Sequence, residues 1–224
     1  MKACIFDLDG TILNTLEAIA LSGNRMLAEL GLPPQPADDY RYHCGDGADL
    51  LVKRCLEEAG AFTEENYRAG CVLQRKFLRE KPTYHTVPYD GMPEVLNKLK
   101  NEGIRIAVCT NKPDEAAKGT VYGIYGEDLF DLVIGQKEGI PTKPDPTGAL
   151  LIARMLGAEP EECLYFGDTW TDMKTGKAAG MYTVGVLWGY RDREELEENG
   201  ADRIIAKPDE IPGLIAELGG IGNE

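Results

Sequence analysis

The sequence predicts an α/β fold in which a parallel sheet is covered by helices on both faces. Short apolar and β-branched runs alternate with amphipathic segments of helix length through most of the chain, and this alternation is typical of βα units. The alternation is interrupted early, because residues 15–82 carry helical patterns and no convincing strand. These observations predict a sheet-containing core with a helical insertion.

The core elements are predicted from their apolar runs. The predicted strands are Ala3–Phe6, Ile104–Cys109, Leu132–Ile134, Cys163–Phe166, Tyr182–Val186 and Arg203–Ile205. Amphipathic segments that predict helices lie near 91–102, 113–123, 145–157 and 171–179. Short apolar runs bounded by turn residues indicate buried strands, and these strands would build the sheet.

The interruption is predicted to be a separate small domain. Its helical patterns cover 15–30, 47–59 and 63–80, with turn-forming Pro and Gly clusters between them. We expect a helical cap domain over residues 15–82 that lies over the carboxyl edge of the sheet. The catalytic core would then comprise residues 1–14 and 83–224.

The composition limits the kinds of partner. The chain has 224 residues and a formal net charge of −14, from 24 basic and 38 acidic side chains. This charge argues against nucleic acids or anionic membranes as main partners. An anionic substrate would need local compensation by a metal ion or a few placed cations.

The cysteines and the hydrophobic pattern indicate a cytoplasmic protein. No two cysteines form a CxxC motif, so neither a disulfide nor a zinc site is expected and the thiols fit a reducing compartment. They are Cys4, Cys44, Cys55, Cys71, Cys109 and Cys163. No hydrophobic run approaches the length of a membrane span, and Met1-Lys2 leads directly into the first predicted strand.

Two acids follow the first predicted strand. Asp7 and Asp9 are two positions apart, so an extended chain would point both carboxylates to the same side. Such like charges repel, unless a divalent cation neutralises them or one acts as a nucleophile and the other as an acid/base. The alternative is a helix start in which Asp9 is a cap and Asp7 a surface charge.

The second predicted strand ends in Thr110-Asn111, and Pro113 suits the first turn of the next helix. Ligands of α/β sheets gather beyond the carboxyl ends of the strands. The Thr110 hydroxyl and nearby backbone N–H groups could therefore hold a phosphate oxygen. Alternatively, Thr110 or Asn111 only caps the following helix.

A lysine stands in the turn Thr142-Lys143-Pro144-Asp145-Pro146 before a predicted helix. Flanking proline residues would hold Lys143 more rigidly than a surface lysine. Its compact charge could bridge a nucleophilic carboxylate and a phosphate. The alternative is an ordinary solvated lysine at a turn.

Two further acids follow the strand that ends at Phe166. Asp168 and Asp172 are four residues apart and would share one face if the chain is helical from Thr169 onward. Converging oxygen ligands without histidine or cysteine suit Mg²⁺ rather than zinc. Asp168 could instead be a helix N-cap.

Together these motifs resemble the haloacid dehalogenase-like phosphatase superfamily. They are DLDGT at 7–11, TN at 110–111, KPDP at 143–146 and GDTWTD at 167–172. The resemblance spans nearly the whole chain, and it implies a doubly wound parallel sheet, a helical cap between the first two motifs and a Mg²⁺ cofactor.

The chain is more similar to the phosphoglycolate phosphatase group of that superfamily. The shared stretches are TNKP at 110–113, GDGADLLV at 45–52, AGM at 179–181, VLWGY at 186–190 and GAD at 200–202. It departs from many relatives at Asn14-Thr15, where they have Asp-Ser, and at the bulky Trp170.

The resemblance also implies roles in the reaction. Asp7 would attack phosphorus and form an aspartyl-phosphate, and Asp9 would protonate the leaving alcohol and then activate water. Since Asp9 is present, carbon–halogen cleavage is not expected. The histidines, His43 and His85, have no acid/base role in this scheme.

The remaining roles concern the metal and the substrate. Mg²⁺ would be held by Asp7, the backbone carbonyl of Asp9, Asp168 and Asp172, the last directly or through water. The substrate phosphate would be bound by Thr110, Asn111 and Lys143. A small anionic leaving group would need a cation from the cap, and the candidates there are Arg41, Lys53 and Arg54.

The sequence is compatible with several functions other than that of a phosphoglycolate phosphatase. They are a pyrophosphatase, a 5′-nucleotidase, a sugar-phosphate phosphatase, a β-phosphoglucomutase-like phosphotransferase and a non-catalytic phosphate-binding protein. The expected partner is a small phosphate ester, and the protein is expected to be a monomer or a homodimer.

Overall fold

The computed structural model describes residues 1–220 and confirms the α/β fold. The strands are β1 (Ala3–Phe6), β2 (Leu13–Asn14), β3 (Val87–Pro88), β4 (Arg105–Pro113), β5 (Leu132–Gln136), β6 (Cys163–Gly167), β7 (Tyr182–Val186) and β8 (Arg203–Ile205). The main sheet has the order β5-β4-β1-β6-β7-β8, and all its pairings are parallel.

Helices lie on both faces of this sheet and in the insertion. They are α1 (Leu16–Glu29), α2 (Tyr40–His43), α3 (Ala48–Glu58), α4 (Glu64–Glu80), α5 (Met92–Asn101), α6 (Asp114–Tyr125), α7 (Thr147–Leu156), α8 (Trp170–Ala178), α9 (Arg193–Glu198) and α10 (Ile211–Gly220). The predicted helices are present with small shifts at their ends. The short α2 and α9 and the terminal α10 were not predicted.

The buried faces of β1 explain the doubly wound arrangement. Cys4 and Phe6 pack in one hydrophobic cluster with α5, α6 and α10, whereas Ala3 and Ile5 pack in another with α7. Because side chains alternate along a strand, an apolar run serves both layers. The chain builds outward from β1 through β4 and β5 and then resumes at β6 on the other side of β1. The carboxyl ends of β1 and β6 thus form the switch point at which such sheets bind ligands.

Helices α1–α4 form a helical insert (residues 16–80) with its own hydrophobic cluster. Met26, Leu27, Tyr40 and Val52 are fully buried there. No helix in residues 1–220 combines the length and the apolar character that crossing a membrane requires.

The chain passes between core and insert through a two-stranded ribbon that was not predicted. In this antiparallel pair, Leu13 lies opposite Pro88 and Asn14 opposite Val87. The two segments that lead into and out of the insert are therefore neighbours.

Strand β4 is longer than predicted and contains a bulge. Cys109 pairs with Ile134, but the next pairing joins Pro113 to Gln136, so β4 advances four residues while β5 advances two. The extra residues, Thr110 to Lys112, are all buried. Pro113 precedes α6 rather than lying in its first turn as predicted, because it still pairs with β5.

Candidate active site

Three carboxylates converge at the switch point of the sheet. Asp7 follows β1, while Asp168 and Asp172 follow β6, and one oxygen of each lies within 4.8 Å of the others. Asp168 and Asp172 are completely buried and Asp7 is 4% exposed. The predicted convergence of these acids is present, with Asp172 on the first turn of α8.

Hydrogen bonds fix the carboxylates after β6. The carboxylate of Asp168 accepts from the backbone N–H of Tyr190 at 2.8 Å and from the Thr11 hydroxyl at 3.2 Å. Asp172 accepts from the backbone N–H and hydroxyl of Thr169, at 3.2 and 2.8 Å. Thr169, rather than Asp168, is the N-cap of α8, so the capping alternative for Asp168 is wrong.

Glycines pack directly against the same acids. A Cβ atom at Gly10 or at Gly189 would lie 2.2 Å from side-chain atoms of Asp168, and one at Gly167 would lie 2.1 Å from the Asp172 Cβ atom. Any side chain at these positions would displace a carboxylate. The acids are therefore held by close packing as well as by hydrogen bonds.

Lys143 lies among the acids and is not a solvated turn residue. Its Nζ atom is 2.7 Å from an oxygen of Asp7 and 2.7 Å from an oxygen of Asp172, and its side chain is 4% exposed. Its backbone N–H donates to the Asn111 side chain at 2.7 Å. The turn after β5 thus places a buried cation against the predicted nucleophile.

Burial and like charges govern the electrostatics of this cluster. Burial raises the pKa of Asp7 to about 7, with Asp172 adding to the rise and Lys143 opposing it. Burial, Asp172 and Asp7 also raise the pKa of Asp168 well above its ordinary value. Burial by itself would lower the pKa of Lys143, but the charges of Asp172 and Asp7 raise it. Three carboxylates against one ammonium leave two excess negative charges, which suits a divalent cation.

Asp9 lies beside the three acids and has partners of its own. One of its oxygens accepts from the Thr15 hydroxyl at 2.7 Å and from the Lys112 ammonium at 2.9 Å. The Lys112 side chain is only 6% exposed. Sequence reasoning had not selected Lys112, although the TNKP stretch at 110–113 contains it.

Thr110 and Asn111 are both buried but make different contacts. The Thr110 hydroxyl accepts from the backbone N–H of Lys112 at 3.2 Å. The Asn111 amide donates to the carbonyl of Gly45 at 3.0 Å and to that of Lys143 at 3.2 Å. Asn111 therefore ties the Lys143 turn to the insert, while Thr110 remains at the edge of the site.

A cavity of about 50 Å³ opens in front of these residues. From the core it is lined by Asp7, Asp9, Thr110, Asn111, Lys112 and Pro113. From the insert it is lined by Ile19, Cys44, Gly45, Gly47, Ala48, Leu51, Gln74 and Leu78. Its volume corresponds to roughly four water molecules, so it matches a small ligand.

The three cations proposed from the sequence of the insert lie elsewhere. Arg54 contacts Asp46 at 2.5 Å and the carbonyl of His43 at 2.9 Å, and Lys53 lies 3.6 Å from Glu57. Arg41 is half-exposed. Within residues 1–220, none of the three lines the cavity.

A clasp between core and insert was not predicted either. Arg191, buried before α9, donates to the carbonyls of Arg41 and Cys44 at the end of α2. The Tyr190 hydroxyl lies 2.9 Å from the Thr15 hydroxyl. Arg191 belongs to none of the motifs, and its carbonyl partners are about 150 positions away along the chain. Tyr190 ends the VLWGY stretch, but its contact with Thr15 spans 175 positions.

Comparisons with known proteins identify the family. A model of the haloacid dehalogenase-like hydrolases matches residues 1–180. A phosphoglycolate phosphatase of Aquifex aeolicus (strain VF5) is 34% identical, with 96% of this chain and 97% of that one covered. Another, from Cereibacter sphaeroides (strain ATCC 17025), is also 34% identical, over 97% and 99% of the two chains.

A solved structure supports the same assignment. A crystal structure from Haemophilus somnus 129PT, itself named a predicted phosphoglycolate phosphatase, aligns with a TM-score of 0.88. It is 27% identical and covers 96% of this chain and 97% of its own. The chain therefore belongs to the haloacid dehalogenase-like hydrolases, as the four motifs had indicated. Within that family it is a phosphatase similar to the phosphoglycolate phosphatases.

Proposed function

We propose that the protein is a Mg²⁺-dependent hydrolase of a small phosphomonoester and that Asp7 is its nucleophile. The observation that carries this proposal is the buried group of Asp7, Asp168, Asp172 and Lys143, of which Asp7 lines a small cavity. Such a cluster, with acids and a cation but no histidine, matches phosphoryl transfer through a carboxylate.

The acids fit a magnesium ion. The residues that would hold it are Asp7, Asp168 and Asp172 through their carboxylates, with the backbone carbonyl of Asp9. Their oxygen atoms and two excess negative charges suit a hard divalent cation. When bound, Mg²⁺ would offset the repulsion between the phosphate and the carboxylate of Asp7.

Asp7 and Lys143 are placed for the first step. Lys143 holds one oxygen of Asp7, which leaves the other oxygen to attack phosphorus. The new bond joins this oxygen to phosphorus while the bond to the alcohol oxygen breaks. Thr110 and Lys143 would bind the phosphate oxygens during this transfer.

Asp9 is placed for the proton transfers. Thr15 and Lys112 hold one of its oxygens, so the second can give a proton to the leaving alcohol. The same oxygen can then take a proton from the water that hydrolyses the aspartyl-phosphate. His43 and His85 contact Glu58 and Glu17 instead and play no part in these steps.

The helical insert would act as the cap of this site. We propose a cap domain over 15–82 and a core of 1–14 and 83–224, because the insert has its own hydrophobic cluster and forms one wall of the cavity. A closed cap excludes bulk water while the substrate reacts.

The names of the relatives support 2-phosphoglycolate as the substrate. The six cysteines are free and buried, which suits the reducing cytoplasm. A monomer and a homodimer are both compatible with this proposal.

A kinetic survey of phosphate esters tests the substrate. We expect purified protein with Mg²⁺ to release phosphate from 2-phosphoglycolate with a higher kcat/KM than from pyrophosphate, a nucleoside monophosphate or glucose 6-phosphate. Release without any sugar bisphosphate would also separate it from a β-phosphoglucomutase-like enzyme. A higher kcat/KM for another ester would assign a different substrate, and no turnover of any ester would refute the activity.

A further inference from the structure

We propose that Lys112 recognises a carboxylate on the leaving group and thereby sets the substrate preference. This inference rests on the proposed function, because it concerns the same cavity and the same substrate class. The inference assigns recognition of the substrate carboxylate to a cation of the core, whereas the sequence had suggested a cation of the helical insert.

The charges around the cavity point to Lys112. It is the one cationic side chain among the described residues that line this cavity. Lys143 does not line the cavity, and its ammonium is shared between Asp7 and Asp172. A second anionic group of a substrate therefore meets one cation on the cavity wall, Lys112, whose ammonium has Asp9 as its ion-pair partner.

The position of Lys112 suits the leaving group rather than the phosphate. Its Nζ atom is 2.9 Å from the oxygen of Asp9, the residue proposed to protonate the leaving alcohol. In 2-phosphoglycolate a single methylene separates that alcohol oxygen from the carboxylate. A side chain in contact with Asp9 is thus within reach of this carboxylate. The ammonium has three donors, so it can keep Asp9 and bind a second anion.

The opposite wall offers weaker attraction for a carboxylate. Gln74 is 1% exposed, its amide donates to the Ser22 hydroxyl at 2.9 Å, and its carbonyl oxygen has no partner. That free oxygen is an acceptor and would repel a carboxylate. The first turn of α3, at Gly47 and Ala48, also lines the cavity, but a helix N-terminus carries only about half a unit charge.

Partial burial strengthens the expected contact. The Lys112 side chain is 6% exposed and that of Asp9 18%. Charged hydrogen bonds are less screened in such a place than at a surface. Removing one partner of a buried charge pair lowers affinity by a factor on the order of 100.

The test compares two substrates that differ in this one charge. The kcat/KM values for 2-phosphoglycolate and for 2-hydroxyethyl phosphate are measured with Mg²⁺ for the wild type and for Lys112→Met. We expect the preference of the wild type for 2-phosphoglycolate to fall by a factor on the order of 100 in the variant. An effect of the substitution on Asp9 acts on both substrates, so it cancels in the ratio.

Three further variants sharpen the comparison. Lys112→Arg keeps the charge and should keep the preference, even if its kcat falls. Lys53→Met removes a cation of the insert and Lys98→Met an exposed cation of α5, and both should leave the preference unchanged. Loss of the preference in Lys53→Met would overturn the role of Lys112.

Binding gives a second readout if Lys112→Met turns over too slowly. Calorimetry with Mg²⁺ would compare 2-phosphoglycolate and 2-hydroxyethyl phosphate on Asp7→Asn and on Asp7→Asn/Lys112→Met. Equal discrimination by the two proteins would overturn the inference but leave the proposed function standing. A wild type without preference for 2-phosphoglycolate would overturn both the proposed substrate and this role for Lys112.

Discussion

At the scale of single residues, the candidate site depends on buried charges that are held close together. Asp7, Asp168 and Asp172 would repel one another, yet Asp168 packs against Gly10 and Gly189, and Asp172 packs against Gly167. Lys143 offsets part of this repulsion. This packed group of charges is the cation site proposed above.

Replacing Asp7 by Asn should abolish turnover and preserve the fold. An amide is nearly isosteric with the carboxylate but cannot attack phosphorus. We expect phosphate release to fall by at least about 10³-fold, a loss typical of removing a catalytic nucleophile. Circular dichroism and the melting temperature serve as the control for folding, and substantial turnover by a folded variant would refute the nucleophile.

Replacing Asp168 by Asn should weaken the binding of divalent cations. The variant removes one of three converging carboxylates and one of two excess negative charges. We expect the Kd for Mn²⁺, measured by electron paramagnetic resonance, to rise by about tenfold or more. Asp202→Asn, which changes an exposed ion pair with Lys177, should bind Mn²⁺ like the wild type. Unchanged Mn²⁺ binding by Asp168→Asn would place the metal elsewhere.

At the scale of elements, the bulge in β4 creates the polar wall of the cavity. A regular strand would turn Asn111 away from Thr110 and Lys112, because successive side chains alternate. The bulge allows all three to be buried around the site. Neighbouring β5 accommodates it through Gly135, where a Cβ atom would lie 2.6 Å from the Lys112 carbonyl oxygen.

Gly135→Ala should therefore displace the bulge. The new methyl group would also lie 2.6 Å from the Asp114 Cα atom, and backbone atoms on both sides cannot yield easily. We expect a loss of about 1–3 kcal/mol in the free energy of unfolding, together with a lower kcat. The matched control is Gly213→Ala in α10, where an added Cβ atom would enter open space. Full stability and activity of Gly135→Ala would contradict this account of the bulge.

Asp114 at the start of α6 should make stability depend on pH. Partial burial opposes its ionisation, but hydrogen bonds from Lys118 and from the Gly135 N–H hold its pKa below the ordinary value. A lowered pKa means that ionised Asp114 stabilises the folded state. This stabilisation is complete above the unfolded pKa of about 3.9 and is lost as the pH falls through the folded pKa.

The measurement compares urea unfolding of the wild type and of Asp114→Asn. We expect the variant to be less stable by about 1–2 kcal/mol at pH 7. The difference should begin to shrink below about pH 4, where Asp114 of the unfolded chain takes up a proton, and should be lost once the pH has fallen through the lower pKa of the folded state. A difference that stays constant down to pH 2.5 would show that the charge of Asp114 has no part in it.

At the scale of the whole molecule, function depends on how the insert is held over the core. Arg191 binds carbonyl groups at the end of α2, and Asn111 binds that of Gly45. Both contacts reach the loop that forms one wall of the cavity. Asn111 thus contacts both the insert, at Gly45, and the turn that carries Lys143.

Arg191→Met should loosen the insert without changing the reacting groups. The carbonyl groups of Arg41 and Cys44 lose their donor, and the buried side chain loses its pair with Glu195. We expect faster amide hydrogen exchange in residues 40–44 and a higher KM. Arg193→Met, which removes an exposed pair with Glu197 in the following helix α9, is the control. Wild-type exchange and KM in Arg191→Met would show that other contacts hold the insert.

The sequence was most informative about charged and polar residues that follow an apolar strand. Asp7 and Asp168 could be selected because they follow apolar strands, whose carboxyl ends meet at one edge of a parallel sheet. Lys143 could be selected because prolines lie near it in a turn before a helix. Lys112 could not, since its burial depends on a bulge accommodated by Gly135, which belongs to another strand. Arg191 likewise acquires its partners only through folding.

The ribbon of β2 and β3 has a further consequence for how such molecules diversify. Asn14 and Val87 are paired residues of one antiparallel ladder, so the whole insert occupies the place of a hairpin loop. A turn of only two residues can join strands in this register. Segments of very different length could thus be exchanged between these two points during evolution while the sheet and the buried acids at its edge stay in place. Replacing the insert between these two strands could therefore give the same reaction access to new substrates.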